Sequence, residues 1–308
     1  MTGHAVVIGE ALVDLLETTT GDGQIVYHPA IGGAPLNVAV GIARLGAASE
    51  FAGSVGDDPW ATRIVDFLTA TGVGTRGVAT VPGVATTLAV TTFRGIEPTF
   101  RFYGDPPSYA LLSPADLSIA LVSAAGLLYC GSMCLLSPPV LAAARAAWAT
   151  PGPIRVFDPN VRPVVGVDPD VVAEFAATAD LVKLSSADAA ALWGESPEHA
   201  AGRLLDLGAG AVVVTNGAEG ALVAHAGATV RVPAPTVTAV DATGAGDATM
   251  AALSWGILTK GLPTTLDGWA DLTRVAVHVA ALVCESRGGA VSMPTVAALQ
   301  ARFPTLPL

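Results

Sequence analysis

Thr238-Ala239-Val240-Asp241-Ala242-Thr243-Gly244-Ala245-Gly246-Asp247-Ala248-Thr249-Met250 is a turn of small residues that ends in a carboxylate and runs into an apolar stretch, Ala248 to Leu258. Glycines let backbone N–H groups come close to a ligand. The apolar stretch reads as a helix, whose N-terminus adds unpaired donors and the positive end of a dipole. Together they read as a seat for phosphate. An aspartate repels an anion that merely binds there. It makes chemical sense if Asp247 takes a proton from a hydroxyl that attacks a phosphoryl group. On spacing alone, an ordinary capped turn accounts for the same residues.

Outward from this stretch, strands and helices alternate. Strands are expected at Gly126–Tyr129, Ile154–Phe157, Leu181–Leu184 and Ala211–Thr215. Helices are expected at Pro139–Ala149, Pro169–Ala177, Ala187–Trp193, Thr249–Leu258 and Asp271–Cys284. Such alternation predicts an α/β fold with a mainly parallel sheet wound on both faces. Ala5–Ile8, closed by Gly9, is a further central strand, and Asp14 reads as a loop acid just beyond it. Gly72 to Pro82 reads as a glycine-rich connection. Thr86–Phe93 and Thr99–Tyr103 alternate apolar with polar residues, the period of half-exposed strands. They are assigned, with the Leu15–His28 region, to a small separate sheet. No linker divides the 308 residues, so the chain is read as one domain.

Composition excludes several classes. The net charge of −11 leaves no basic stripe for nucleic acid. Cys130, Cys134 and Cys284 are too few and too scattered for a disulfide framework, which points to reduced thiols in a cytoplasm. The start, from Met1, shows no basic leader, and Glu10 and Asp14 interrupt the first apolar run. Leu117 to Ala144 has no charge and the length of a membrane span. Gly126, Gly131, Ser132, Pro138 and Pro139 punctuate it, so it reads as strand, turn and helix, with no membrane contact expected. No G-x-x-x-x-G-K-[ST] loop, no G-x-G-x-x-G after the first strand and no G-x-S-x-G elbow occurs.

Two further stretches sit where open α/β sheets bind ligands. In Ile31–Ala39, Gly32 and Gly33 let the backbone approach a small ligand, and Asn37 both donates and accepts, which suits a polyol. Taken in isolation, a glycine turn with a helix cap is the plainer account. In Phe157-Asp158-Pro159-Asn160-Val161-Arg162-Pro163, Asp158 and Asn160 end a strand and Arg162 offers a planar fork to phosphate. Local Asp and Asn bonds in a proline-rich loop are the plainer account.

Asp241–Asp247 resembles the D-[TA]-T-G-A-G-D signature of the ribokinase-like (PfkB) carbohydrate kinases, and Gly32 to Ala39 resembles their G-G-x-x-x-N-x-A segment. Phe51-Ala52-Gly53-Ser54-Val55-Gly56-Asp57-Asp58 is similar to another family pattern. The Phe157–Arg162 segment resembles that of fructokinases and 2-keto-3-deoxygluconate kinases. The resemblance covers nearly the whole chain, with its motifs in order. It implies a doubly wound sheet with a small β lid, built from about residues 15–30 and 86–104, that covers a sugar.

It also implies ATP-dependent phosphorylation of a small sugar. Asp247 would be the base, and the N–H groups of Gly244, Ala245, Gly246 and Asp247 would hold the transferred phosphoryl group. Asp14, Gly32, Gly33, Asn37, Phe102, Tyr103, Asn160 and Arg162 would face the sugar. Lys183, Ser185, Asp188, Thr215, Gly217 and Gly220 would line the nucleotide. In the family's N-x-x-E segment, serine stands at 185 and aspartate at 188, so the carboxylate that organises Mg²⁺ waters is shorter here. Asp241, Thr243, Cys284, Arg287, Gly289 and Ser292 line up with a monovalent-cation loop, one residue shorter than the pattern, which suggests K⁺. The lid strand Phe100–Tyr103 resembles F-x-F-Y-R, but Gly104 replaces the arginine. That favours a neutral sugar, fructose first, then 2-keto-3-deoxygluconate, then ribose or a nucleoside; Arg94 or Arg101 could replace the missing cation. A homodimer joined lid to lid is expected. A sensor on the same fold, without turnover, is the alternative of another class; the base at 247 speaks against it.

Overall fold

The structure is a computed structural model that describes residues 3–94, 97–166 and 168–308; the side chains of 93, 94 and 97–100 lie outside that description. The expectations at Met1, and for the side chains of Phe93, Arg94 and Phe100, therefore lie outside the described residues.

The chain opens with β1 (Ala5–Ile8), β2 (Leu12–Thr19), β3 (Ile25–Gly32), α1 (Ala34–Arg44), β4 (Ser49–Val55), α2 (Pro59–Ala70), β5 (Gly74–Thr80), β6 (Leu88–Arg94) and β7 (Glu97–Tyr103). The middle holds α3 (Ile119–Ser123), β8 (Leu127–Gly131), α4 (Pro138–Trp148), β9 (Ile154–Asp158), α5 (Pro169–Ala176), β10 (Leu181–Ser185), α6 (Ser186–Trp193) and α7 (Pro197–Leu207). The last third adds β11 (Ala211–Thr215), β12 (Ala221–His225), β13 (Ala228–Val232), α8 (Ala245–Lys260), α9 (Leu266–Cys284) and α10 (Val296–Arg302).

The main sheet has the order β13-β12-β11-β10-β9-β8-β1-β4-β5. It is parallel from β5 through β11, and β12 and β13 close one edge antiparallel. Its inner strands are apolar on both faces because both faces are covered. Val7, Leu127 and Tyr129 point into one core with α1, α8 and α9. Val6, Ile8, Leu128 and Cys130 point into a second core with α4, α5 and α7. The chain leaves β1 first toward β4 and later toward β8. The carboxyl ends of β1, β8, β9 and β10 therefore surround the switch point where ligands bind in open sheets.

The second sheet grows from the end of β1 in the order β3-β2-β6-β7. Asp14 pairs with Ala30 and Ala89, and Ala89 pairs with Phe102, so these residues share one face. Ile25, Tyr27 and Tyr103 are exposed and, by the same register, fall on the other face.

Several expectations are corrected. Asp14 is inside β2, not in a loop, because the chain passes from the first sheet to the second within three residues. Gly72–Pro82 contains strand β5, where Gly74 leaves space for the Glu50 carboxylate that binds Arg76. α8 begins at Ala245, four residues before the expected start, which places Asp247 in its first turn. The β12–β13 hairpin, α7 and α10 carried no assignment. Leu117 to Ala144 divides into α3, β8 and α4, and among the described residues no helix is long and apolar enough to cross a membrane.

Candidate active site

The site is built on the N-terminus of α8. Gly244 is its N-cap at φ 81°, and a Cβ there would lie 2.7 Å from Gly289 Cα. Only glycine fits both the left-handed backbone and that approach. Ala245 N–H donates to Ala242 O at 3.2 Å, so it already serves the turn. Residues Asp247 through Leu258 are all buried. A helix apolar all round belongs in a core, and its first turn is held as rigidly as that core.

Asp247 is 7% exposed, and an amide donates to each of its carboxylate oxygens. Asn37 Nδ2, from the first turn of α1, donates to Oδ2 at 2.7 Å. Asn160 Nδ2 donates to Oδ1 at 3.2 Å. Asn37 Oδ1 is buried and has no hydrogen-bond partner among the described residues, a free acceptor beside Asp247. Asn160 has φ 38°, unusual for a side chain other than glycine. Its N–H donates to Asp158 Oδ1 at 3.0 Å.

Asp158, at the end of β9, is fully buried and pairs with Lys183 of β10, Nζ to Oδ2 2.9 Å. The Lys183 ammonium also lies 3.0 Å from where a Cβ on Gly246 would sit. Gly33 caps α1 at φ 117°, and a Cβ there would meet Glu10 O at 2.4 Å. Asp14 is partly buried with its carboxylate against Gly32. Phe102 is partly buried on the Asp14 face. Tyr103 is not brought to this group: it is 51% exposed on the opposite face with Arg101, because strand neighbours alternate sides. Arg162 is exposed, its NH1 donating to Val161 O at 3.1 Å.

On the β10–β11 side, Asp188 Oδ2 accepts from Ser185 N (2.8 Å) and Ser185 Oγ (2.7 Å), capping α6, and its Oδ1 accepts from Val161 N (2.9 Å). Thr215 Oγ1 donates to Leu184 O at 3.4 Å. The turn Asn216 to Gly220 includes Gly217 at φ 53° and Gly220 at φ 97°. Across from Gly244, Asp241 accepts from Thr243 N at 2.9 Å and from Gly288 N at 3.0 Å. Cys284 O accepts from the N–H groups of Val240 and Asp241. Arg287 O accepts from Ser292 Oγ, and Gly289 O from Ser292 N.

The sequence model described as pfkB family carbohydrate kinase matches residues 2–296. The chain belongs to the pfkB family of carbohydrate kinases. It is similar to a fructokinase of Klebsiella pneumoniae, 34% identical over 96% of this chain and 97% of the relative. Its fold is similar to a fructokinase from Xylella fastidiosa solved with bound ATP, at TM-score 0.88 and 25% identity, covering 98% of each chain. A Vibrio cholerae fructokinase solved with fructose, ADP and calcium ion matches at TM-score 0.84 and 30% identity, covering 97% of this chain and 98% of that one.

In this carbohydrate kinase the electrostatics of the cleft follow from burial. Burial raises the pKa of Asp247, opposed by the Asn37 hydrogen bond, the charges of Lys183 and Arg162 and the Asn160 bond. Burial lifts Asp14 to about 6, against the Arg162 charge and with that of Asp247. Burial works against the Lys183 ammonium, but the carboxylates of Asp158, Asp188 and Asp247 outweigh it and raise its pKa.

Sequence reasoning passed over Glu10 and Ser132. Glu10 is 2% exposed, accepts from Ser132 Oγ at 2.6 Å and has Oε2 buried with no hydrogen-bond partner among the described residues. A carboxylate just past a central strand was the available signal for Glu10. Ser132, at φ 72°, carried none.

Proposed function

We propose that this pfkB-family kinase transfers the γ-phosphoryl group of ATP to a hydroxyl of a small neutral sugar, fructose first. The observation that carries the reading is Asp247: a buried carboxylate in the first turn of a helix, oriented by one amide on each oxygen. Asp247 takes the proton of the attacking hydroxyl. Asn37 and Asn160 fix its two oxygens, so its remaining lone pairs face the acceptor. The Asn37 Oδ1 acceptor and the Asp14 carboxylate bind and orient the sugar's other hydroxyls. The first-turn N–H groups at Gly246 and Asp247, with the Lys183 ammonium beside Gly246, hold the charge of the transferred group.

Lys183, Thr215 and the Gly217–Gly220 turn would hold ATP. The ammonium fits, since it has three donors and the Asp158 pair takes one of them. Mg²⁺ would arrive on the phosphates and neutralise their charge. K⁺ would be held by the carbonyls of Arg287 and Gly289, each of which has a second lone pair, whereas Cys284 O already accepts from two N–H groups. Fructose ranks above a sugar acid because no cation follows Tyr103, and Arg101 lies on the face away from Asp14. The fructokinases among its relatives support the same ranking.

The test is ATP consumption over fructose, 2-keto-3-deoxygluconate, ribose and nucleosides, by the wild type and Asp247→Asn. Fructose should give the highest kcat/KM. Asp247→Asn should lower kcat about 10²–10⁴-fold while fructose affinity stays within several-fold. A sugar acid ranked first would overturn the neutral-sugar reading. A variant keeping a tenth of the wild-type kcat would remove Asp247 from the role.

A further inference from the structure

Asp188 stands where a carboxylate would organise the waters of a divalent cation, yet its oxygens are committed elsewhere. The residue is 7% exposed. Two of its three hydrogen bonds come from Ser185, three residues back, and the third comes from Val161, 27 residues away on the loop after β9. A carboxylate has about four acceptor positions, so three protein donors leave little for a metal's water shell. With the Ser185 side chain it forms a reciprocal capping box at the start of α6.

The loop it holds carries Asn160. That residue keeps a left-handed backbone at φ 38°, a conformation that is strained for a residue with a Cβ. It persists only where neighbours over-determine it. Two carboxylates do so from adjacent positions: Asp158 takes the N–H of Asn160, and Asp188 takes the N–H of Val161. Asn160 then presents its amide to Asp247 Oδ1.

We propose that Asp188 is a positioning residue for the base: it clamps the loop after β9 so that Asn160 stays aimed at Asp247, and it does not order the cation's waters. The cap of α6, on the nucleotide side, and the orientation of the base, on the acceptor side, thus share one side chain. The inference rests on the phosphoryl-transfer reading for its kinetic consequences, but not for its geometry.

Asp188→Glu separates the two roles. A water-ordering carboxylate should tolerate or welcome the extra methylene. A clamp should not, because the longer chain pushes the Val161 N–H away. Expected for Asp188→Glu are a kcat at least about tenfold lower, a half-saturating Mg²⁺ concentration within twofold of wild type, and an unchanged calorimetric Kd for MgADP. The acid limb of kcat/KM should move up in Asn160→Ala and in Asp188→Glu, since each withdraws a donor from Asp247. The double variant should move it no further than Asn160→Ala alone.

Asp188→Asn, with its volume kept, is the second variant and should move in the same direction if the glutamate form does not fold. In the free protein, the side-chain amide resonance of Asn160, assigned through Asn160→Ala, should shift in both Asp188 variants. Full activity in Asp188→Glu, a changed Mg²⁺ requirement or MgADP affinity, or an additive limb shift would overturn the proposal. An amide shift in a protein that phosphorylates no sugar would keep the clamp and remove the proposed function.

Discussion

Asp14 shows what a carboxylate gives up when the fold buries it. Burial lifts its pKa from 3.8 to about 6, so the folded state prefers it protonated. A raised carboxylate contributes stability that is fully present below pH 3.8 and lost as pH rises through about 6. Above that, the ionised side chain opposes folding. Asp14→Asn should therefore stabilise the protein at pH 7 to 8 by up to about 3 kcal/mol, and hardly at all near about pH 3.5. Melting curves across that range check it, and equal melting temperatures at pH 7 would show that the carboxylate is well solvated. At this scale the sequence was informative where a motif names a position, as for Asp247 and Asn37. It was silent on partners that only the sheet brings together. Nothing near Lys183 in the chain announces Asp158, and nothing near Asp188 announces Val161. Tyr103 shows the opposite failure: a plausible neighbour in sequence lands on the far face because strands alternate.

Among elements, the turn Asp241 to Gly244 and the loop Arg287 to Ser292 act as one unit. The Asp241 carboxylate joins them, and Gly244 and Gly289 touch backbone to backbone. Arg44, at the end of α1, holds the far side through Val291 O (2.9 Å) and Met293 O (2.7 Å). A monovalent ion bound by the loop's carbonyls would stiffen this unit without touching substrate. KCl, titrated against tetramethylammonium at constant ionic strength, should therefore raise kcat more than it lowers the KM for sugar. A flat kcat would mean that the loop's own hydrogen bonds suffice. Element types in the parallel sheet were legible because their strands are solid apolar runs. β5 was not, since a strand with Gly74 and Gly77 has the composition of a turn. In the β12–β13 hairpin at the sheet edge, β13 is mostly exposed and offers no solid apolar run to read.

For the whole molecule, the second sheet leaves Ile25, Tyr27 and Tyr103 exposed by 62%, 43% and 51% on the face away from Asp14. Apolar side chains grouped on one face mark a surface that another body covers. A second copy joined sheet to sheet is expected, so light scattering at micromolar concentration should give a dimer, and Tyr27→Glu should give a monomer. A wild-type monomer, or a dimer indifferent to Tyr27→Glu, would exclude this face. A different consequence follows from the burial of α8. Asn37 and Gly41 lie one turn apart on α1, one holding Asp247 and the other so close to Ala251 that a Cβ would stand 2.5 Å from its methyl. Asp247 thus shares its support with the buried packing of α1 against α8, and its exposure is expected only when that packing opens. Amide protons of α8 from Ala248 onward should exchange with solvent only when the entire sheet comes apart, so denaturant should lower their protection and the global stability together. This kinase would then lose its chemistry on heating at the temperature where it unfolds, and not a few degrees earlier.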